Sequence, residues 1–244
     1  MIKNDFKLEF EMIKTDKASG IPVIIVAAGS ALRMQGINKQ IALVAGIPVI
    51  ARTMLAFENS PLISKIILVT KKDMIGDMQI IADKYMINKL ECIVEGGENR
   101  HKSVMQGIEA LAAEDEKVLI HDGARPFVSQ KIIENCVDAL NEADGCLCGI
   151  KINDTVKKVN KEGFVNETVD RSFLYAAQTP QGVKVKQFKE ASKKLIGKEF
   201  TDDASVLEMA GYKVKMVEGS NSNIKITCPE DLILAESIIV KGEV

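Results

Sequence analysis

Pro22-Val-Ile-Ile-Val-Ala-Ala-Gly-Ser-Ala-Leu-Arg-Met-Gln-Gly-Ile-Asn-Lys-Gln40 is the stretch whose reading decides the fold. Val23 to Val26 is β-branched throughout with no polar alternation, the pattern of a strand covered on both faces, as parallel strands are. Ala27, Ala28 and Gly29 follow, so the backbone at the strand's end can approach a ligand closely. Backbone N–H groups in such a strand-to-helix turn point at anions, with phosphate the usual guest. Arg33 and Lys39 put two cations in the same loop. A plain turn flanked by two surface cations is the alternative reading. The chain has no Gly-Lys-Ser/Thr, which excludes a P-loop. Ala31 stands at the second glycine position of a dinucleotide fingerprint, which excludes that motif too. A small-residue turn followed by Arg and Lys is what remains, and it looks like a nucleotidyltransferase loop.

Working outward, strand and helix alternate. Pro48 can open a helix over Val49 to Glu58. Lys65 to Thr70 reads as a second buried strand. Asp73 is placed to cap a helix reaching about Tyr85. Leu90 to Glu95 is a third strand, ended by Gly96-Gly97, and Asn99 can cap a helix from Arg100 to Ala113. Val118 to His121 is a fourth strand, Ser129 caps a helix through about Ala143, and Gly145 to Ile152 is a fifth strand. This rhythm predicts an α/β fold of Rossmann-like type, a mostly parallel sheet with helices on both faces.

The rhythm then breaks. Thr155 to Val159 and Phe164 to Val169, joined by Asn160-Lys161-Glu162-Gly163, read as a β-hairpin too polar for the core. Protruding hairpins on compact α/β domains commonly make oligomer contacts. Helices are expected over Lys184 to Leu195, from Thr201 or Asp202 to Ala210, and over Glu230 to Val240. Lys213 to Val217 and Asn223 to Ile226 read as late strands. The organisation expected is an extension over 1–21 and one domain over 22–244 carrying a β-arm at about 151–171. The alternation of Phe6, Leu8, Phe10 and Met12 fits an edge strand or a packing arm, but a frayed extension is the preferred reading.

Bulk properties narrow the function. A net charge of −2 shows no basic excess, so neither a nucleic-acid surface nor a membrane surface is indicated. The five cysteines lack CxxC spacing, which argues against a disulfide framework or a zinc site. Cys146 and Cys148 would share one strand face as small hydrophobes. No apolar run approaches spanning length and the N-terminus has no signal core, so a cytoplasmic protein is expected.

In a doubly wound sheet, ligands bind beyond the carboxyl ends of the strands. Three loops then share one rim: Ala28 to Lys39, Gly96 to Ser103, and His121 to Pro126. Gly-Gly offers bare backbone to a base or ribose, and Ser103 offers a hydroxyl. Asp122 lies at a strand end, where it could cap a turn or hold Mg²⁺ against phosphate oxygens. Arg125 could support this loop or hold a second anionic substrate. With two histidines and neither a serine elbow nor a Cys-His pattern, base-driven hydrolysis is poorly equipped. A phosphate monoester nucleophile needs no base, because its second pKa is about 6. It needs cations, and Arg33, Lys39, Arg171 and Lys225 are the candidates.

The strings Ala27-Ala28-Gly29 through Arg33-Met34 and Lys39-Gln40, then His121-Asp122-Gly123-Ala124-Arg125-Pro126, resemble the 2-C-methyl-D-erythritol 4-phosphate cytidylyltransferase family. The likeness continues through Asp154-Thr155-Val156-Lys157, Thr168-Val169-Asp170-Arg171 and Gln178-Thr179-Pro180-Gln181. It ends with Thr201-Asp202-Asp203-Ala204-Ser205 and Asn223-Ile224-Lys225-Ile226-Thr227, so it spans about Pro22 to Ile239. The resemblance implies joining of CTP and the polyol phosphate to give a CDP-linked polyol and pyrophosphate, in non-mevalonate isoprenoid synthesis. It implies that Ala27, Ala28, Gly29, Ser30 and Gly123 hold the nucleotide, with Gly97, Glu98 and Ser103 recognising its cytosine and ribose. Arg33 and Lys39 would stabilise the triphosphate transition state, Lys225 would position the attacking phosphate, and Asp122 would bind Mg²⁺. Arg125, Thr179 and Thr201 would line the polyol pocket. Thr155 and Arg171 would reach from the arm into a partner subunit's site, which implies a homodimer. Two positions depart from the family pattern: Ala31, where a second glycine is common, and Asn38, where a proline is. A ribitol 5-phosphate cytidylyltransferase and a non-catalytic nucleotide-binding regulator are the alternatives.

Overall fold

The computed structural model describes residues 20–29 and 38–242. Its centre is a seven-stranded sheet. In chain order the strands are β1 (Ile21–Val26), β4 (Ile63–Thr70), β5 (Leu90–Glu95), β6 (Lys117–Asp122), β7 (Gly145–Lys151), β10 (Tyr175–Lys184) and β11 (Val214–Glu218). Across the sheet the order is β11-β7-β10-β6-β1-β4-β5. The β-branched run of β1 lies at its middle, parallel to β4 on one side and β6 on the other, with Val23, Ile24 and Ile25 fully buried. An unbroken apolar strand suits this place, where helices cover both faces. Two short strands, β2 (Leu43–Val44) and β3 (Ile47–Pro48), pair beside the body.

The helices are α1 (Val49–Glu58), α2 (Ile75–Lys84), α3 (Arg100–Glu109), α4 (Gln130–Glu142), α5 (Val185–Lys194), α6 (Asp203–Met209) and α7 (Pro229–Val240). On one face, Ile50, Met54 and Phe57 of α1 join Ile132, Ile133, Cys136 and Leu140 of α4 over Val23, Ile25 and Leu68. On the other, Val104 and Ile108 of α3 and Phe188 of α5 cover Ile24, Ile67 and Ile120. Cys146 and Cys148 pack into the first cluster as small hydrophobes. Asn99 and Ser129 accept hydrogen bonds from Lys102 and Ile132 amides, capping α3 and α4 as their sequence positions require. Asp202 is the residue that caps α6, accepting from the Ser205 amide.

Several expectations fail. Sequence reading assigns no element to residues 175–183, yet β10 is a ten-residue strand antiparallel to both β6 and β7. Gln178, Thr179, Pro180 and Gly182 disguise it, since a proline and a glycine speak against a central strand. The register shift between Ala177 and Gln181 is where the ladder accommodates them. Asn223 to Ile226 is not a strand: it ties to the body through a bond from the Ile226 amide to the Ala124 carbonyl. Asp73 caps nothing, because it lies inside a 3₁₀ turn, Lys72–Met74, that precedes α2. Helix α3 stops at Glu109 rather than Ala113.

Strands β8 (Val156–Val159) and β9 (Val165–Val169) pair antiparallel as a separate two-stranded ribbon. Val159, Phe164, Val165 and nearby Phe173 are all exposed there. No described helix is long and apolar enough to cross a membrane. The extension over 1–19, with its Phe6 to Met12 alternation, lies outside the described residues.

Candidate active site

The parallel strands β1, β4, β5 and β6 end on one rim, and two adjoining clefts open there. The first, of about 460 Å³, is lined on one side by Ala28, Gly29 and Lys39, and on the other by Gly97, Glu98 and Ser103. Asp122 and Lys225 form its floor. The second, of about 240 Å³, takes in Arg125, Thr179 and Thr201. Arg100, Asp122 and Lys225 belong to both.

Two loops meet closely at the first cleft. A Cβ on Gly96 would lie 2.4 Å from the Cβ of Ala28, so only glycine lets the β5 loop close against the β1 loop. The bareness of Gly96 therefore serves loop packing. Ser103 is buried, accepts from the Gly97 amide at 3.1 Å and donates to the Asn99 carbonyl at 2.9 Å, which fixes the curl of the β5 loop. A Cβ on Gly29 would meet none of the described residues within 4 Å. The amides of Ala27 and Gly123, by contrast, are spent inside the sheet on the Val69 and Val26 carbonyls. Those two residues shape the rim without an amide to offer a phosphate.

Asp122 is the electrostatic hub. Its carboxylate is largely buried and faces three cations: Lys225 Nζ at 2.8 Å, Arg100 Nε at 3.3 Å and Arg125 Nε at 3.7 Å. Burial alone would raise this carboxyl, but Arg100, Lys225 and Arg125 hold it well below the usual carboxylate range. Asp122 is therefore ionised at any working pH. The Arg125 guanidinium is anchored separately, donating to the Asn223 carbonyl at 2.7 Å, and burial lowers its pKa from the ordinary arginine value.

His121 sits directly behind, fully buried. The Asp122 amide donates to Thr179 Oγ1 at 3.0 Å, so the threonine hydroxyl turns its own proton toward His121 Nδ1, 3.1 Å away. Nδ1 must then be the acceptor, and Nε2–H donates to the Arg125 carbonyl at 3.0 Å. This tautomer is inferred from the hydrogen-bond pattern. Burial depresses the imidazole pKa to about 4. The ring is thus neutral and has both nitrogens occupied, so it is a structural prop and unfit as a general base.

The structure brings together Ala28, Gly29, Lys39, Gly97, Glu98, Ser103, Asp122, Arg125, Thr179, Thr201 and Lys225. Ser30 and Arg33 lie outside the described residues. Thr155 and Arg171 line neither cleft; they belong to the ribbon, where the Arg171 guanidinium donates to the Asn153 carbonyl. Sequence reading missed Lys71 and Gln40, which line the first cleft, and Gln181, which lines the second. Above all it missed Arg100, which grips Asp203 with two bonds of 2.8 and 2.7 Å. Nothing local signals that pair, because its partners stand 103 residues apart.

Among the described residues, the one carboxylate that lines both clefts, and that a divalent cation could use, is that of Asp122. The described residues gather no group of three acidic, histidine or cysteine side chains suited to a metal. Asp122 offers one carboxylate, leaving the other positions to phosphate oxygens and water, as Mg²⁺ commonly prefers.

A family model for 2-C-methyl-D-erythritol 4-phosphate cytidylyltransferase (IspD) matches residues 21–241. A protein of that name from Syntrophus aciditrophicus is 41% identical over 91% of this chain and 97% of its own. One from Clostridium botulinum strain Loch Maree is 45% identical over 90% of this chain and 97% of its own. Among solved structures, the 4-diphosphocytidyl-2C-methyl-D-erythritol synthase of Anaerococcus prevotii aligns with a TM-score of 0.80. It has 33% identity, covering 91% of this chain and 96% of that one. The Thermus thermophilus 2-C-methyl-D-erythritol 4-phosphate cytidylyltransferase aligns at 0.73 with 28% identity, over 90% and 98%. With a family model matched over residues 21–241 and relatives above 40% identity along most of its length, the chain belongs to the 2-C-methyl-D-erythritol 4-phosphate cytidylyltransferase family.

Proposed function

We propose that the two clefts take CTP and 2-C-methyl-D-erythritol 4-phosphate and that the reaction occurs over Asp122 and Lys225, where they join. The observation that carries this reading is the sharing of Arg100, Asp122 and Lys225 by both cavities. Two phosphorylated molecules can meet only where positive charge is concentrated between them.

CTP lies in the first cleft, its base and ribose against Gly97, Glu98 and Ser103. Its triphosphate lies along the Ala28–Gly29 turn with Lys39 and, from the same loop, Ser30 and Arg33. The polyol phosphate enters the second cleft beside Arg125, Thr179 and Thr201. One of its oxygens attacks the α-phosphorus of CTP. The bond to the bridging oxygen breaks, and pyrophosphate leaves with that electron pair. Lys225 neutralises the attacking phosphate and the charge growing on the phosphoryl oxygens, while Lys39 and Arg33 stabilise the leaving pyrophosphate. No protein base is required, since a phosphate monoester is largely dianionic above about pH 6. A Mg²⁺ ion arriving with CTP would be held by Asp122 and would neutralise triphosphate charge.

The β8–β9 arm completes the assembly. We place Thr155 and Arg171 in the partner subunit's polyol cleft of a homodimer, because they are exposed and line neither cleft of their own body. The exposed apolar residues Val159, Phe164, Val165 and Phe173 supply the contact surface. Five free thiols among the described residues agree with a reducing cytoplasmic setting.

The test is pyrophosphate release with CTP, Mg²⁺ and either 2-C-methyl-D-erythritol 4-phosphate or ribitol 5-phosphate. Turnover with the methylerythritol compound and CTP in clear preference to UTP, GTP or ATP is expected. Preference for ribitol 5-phosphate, or CTP binding without turnover, would refute the reading.

A further inference from the structure

Arg100 occupies the first position of α3, directly after the nucleotide-side loop Gly97 to Asn99. Asp203 occupies the first position of α6, directly after Thr201 and Asp202 on the other side of the site. Between them the guanidinium bridges the whole rim. Its Nη1 and Nη2 grip the two oxygens of Asp203 at 2.8 and 2.7 Å, and its Nε faces Asp122 Oδ1 at 3.3 Å. Asp203 itself cannot drift. Its amide and that of Ala204 both donate to Gln181 Oε1, at 2.9 and 2.8 Å, while Gln181 Nε2 donates to Asp202 Oδ2 at 3.0 Å. The start of α6 is thus pinned to β10, and one arginine connects it to α3 and to the end of β6. A planar fork with several donors in fixed directions can hold two carboxylates at once, whereas an ammonium is a single point charge.

We infer that Arg100 is a positioning residue that couples the two substrate clefts, orienting the Asp122 carboxylate between them while tying the Thr201 loop to the nucleotide loop. This rests on the cytidylyltransferase reading of those clefts. Filling the first cleft loads the Arg100 guanidinium, which both clefts share, and through Asp203 that load bears on the loop the second substrate must meet. Each substrate then strengthens binding of the other, as linkage requires.

The experiment compares the full-length chain with Arg100→Lys and Asp203→Asn. Affinity is measured calorimetrically for a non-reacting CTP analogue, with methylene in place of the α,β-bridging oxygen, with and without 2-C-methyl-D-erythritol 4-phosphate. Turnover is followed as pyrophosphate release. In the parent chain the second substrate is expected to tighten the analogue by at least about fivefold. In Arg100→Lys the analogue alone should also bind more weakly, because the guanidinium lines the first cleft. The tightening should vanish and kcat should fall about tenfold to a hundredfold, as a small misplacement of reacting groups demands. Asp203→Asn, which touches neither substrate, should reproduce both losses, and combining the substitutions should add little to either. Parent-like coupling and kcat in Arg100→Lys, or fully additive losses, would overturn the inference. So would failure of both variants to fold, which would make the pair a structural clamp alone. A parent chain inactive with CTP would instead overturn the underlying functional reading.

Discussion

The rim around Asp122 and the β8–β9 ribbon are built from the same kinds of residue and hold them in opposite ways. At the rim, one largely buried carboxylate meets three cations, and each arginine is anchored a second time, Arg100 on Asp203 and Arg125 on the Asn223 carbonyl. In the ribbon, the ion pair Lys158–Glu167 lies in solvent, and Phe164 is 72% exposed. An exposed pair of that kind contributes at most about 1 kcal/mol. Breaking a buried one by removing a single partner costs about 3–5 kcal/mol, because the other charge is left uncompensated. The rim is therefore organised before substrate arrives. The ribbon carries its apolar and charged residues as if for another surface.

This contrast is broken most severely by removing a rim cation. Lys39→Ala should lower turnover on the order of a hundredfold or more, since its charge is to stabilise the transition state. Pyrophosphate release with CTP and the polyol phosphate checks it.

Next in size is the ribbon. Arg171→Ala should raise KM for the polyol phosphate about tenfold and leave CTP affinity alone, measured by steady-state kinetics with each substrate varied. The sharper version mixes two impaired chains, Lys225→Ala and Arg171→Ala, after dissociation and reassociation, and assays them at polyol phosphate well below the raised KM. If each site takes its body from one chain and its arm from the partner, random pairing in a two-fold dimer rebuilds about a quarter of the sites. No recovery would confine Arg171 to its own subunit.

Smaller still is the support behind Asp122. Thr179→Val removes the hydroxyl between the Asp122 amide and His121 Nδ1, leaving two buried groups unpaired. A loss of about 1–3 kcal/mol in denaturant unfolding is expected. The smallest signal lies in the pH profile. With His121 neutral down to about pH 4, kcat/KM should fall near pH 6 with the phosphate's second ionisation, and no further limb should appear between pH 6 and 8. A second limb would revive a histidine base.

The difference between the two regions also separates what sequence could show from what it could not. The β1 run, Asp122 at a strand end and the polar ribbon are local patterns, and each stands where its pattern places it. Lys225 was legible as a cation but not as Asp122's nearest partner, because the segment holding it reads as a strand and is an extended tie to Ala124. Strand β10 was hidden because Gln178, Thr179, Pro180 and Gly182 satisfy tertiary demands against local propensity. The Arg100–Asp203 pair was beyond reach, since only the folded sheet brings the starts of α3 and α6 together. Sequence thus showed which side chains each loop carries, and the fold showed which loops face one another.

One measurement bears most directly on the claim that cations gathered at Asp122 bring two phosphates together. Lys225→Ala can be assayed for pyrophosphate release from CTP and 2-C-methyl-D-erythritol 4-phosphate, beside calorimetric binding of the CTP analogue alone. The expected result is a fall in kcat of about a hundredfold or more with analogue affinity within about threefold of the parent chain. A parent-like kcat would contradict the claim.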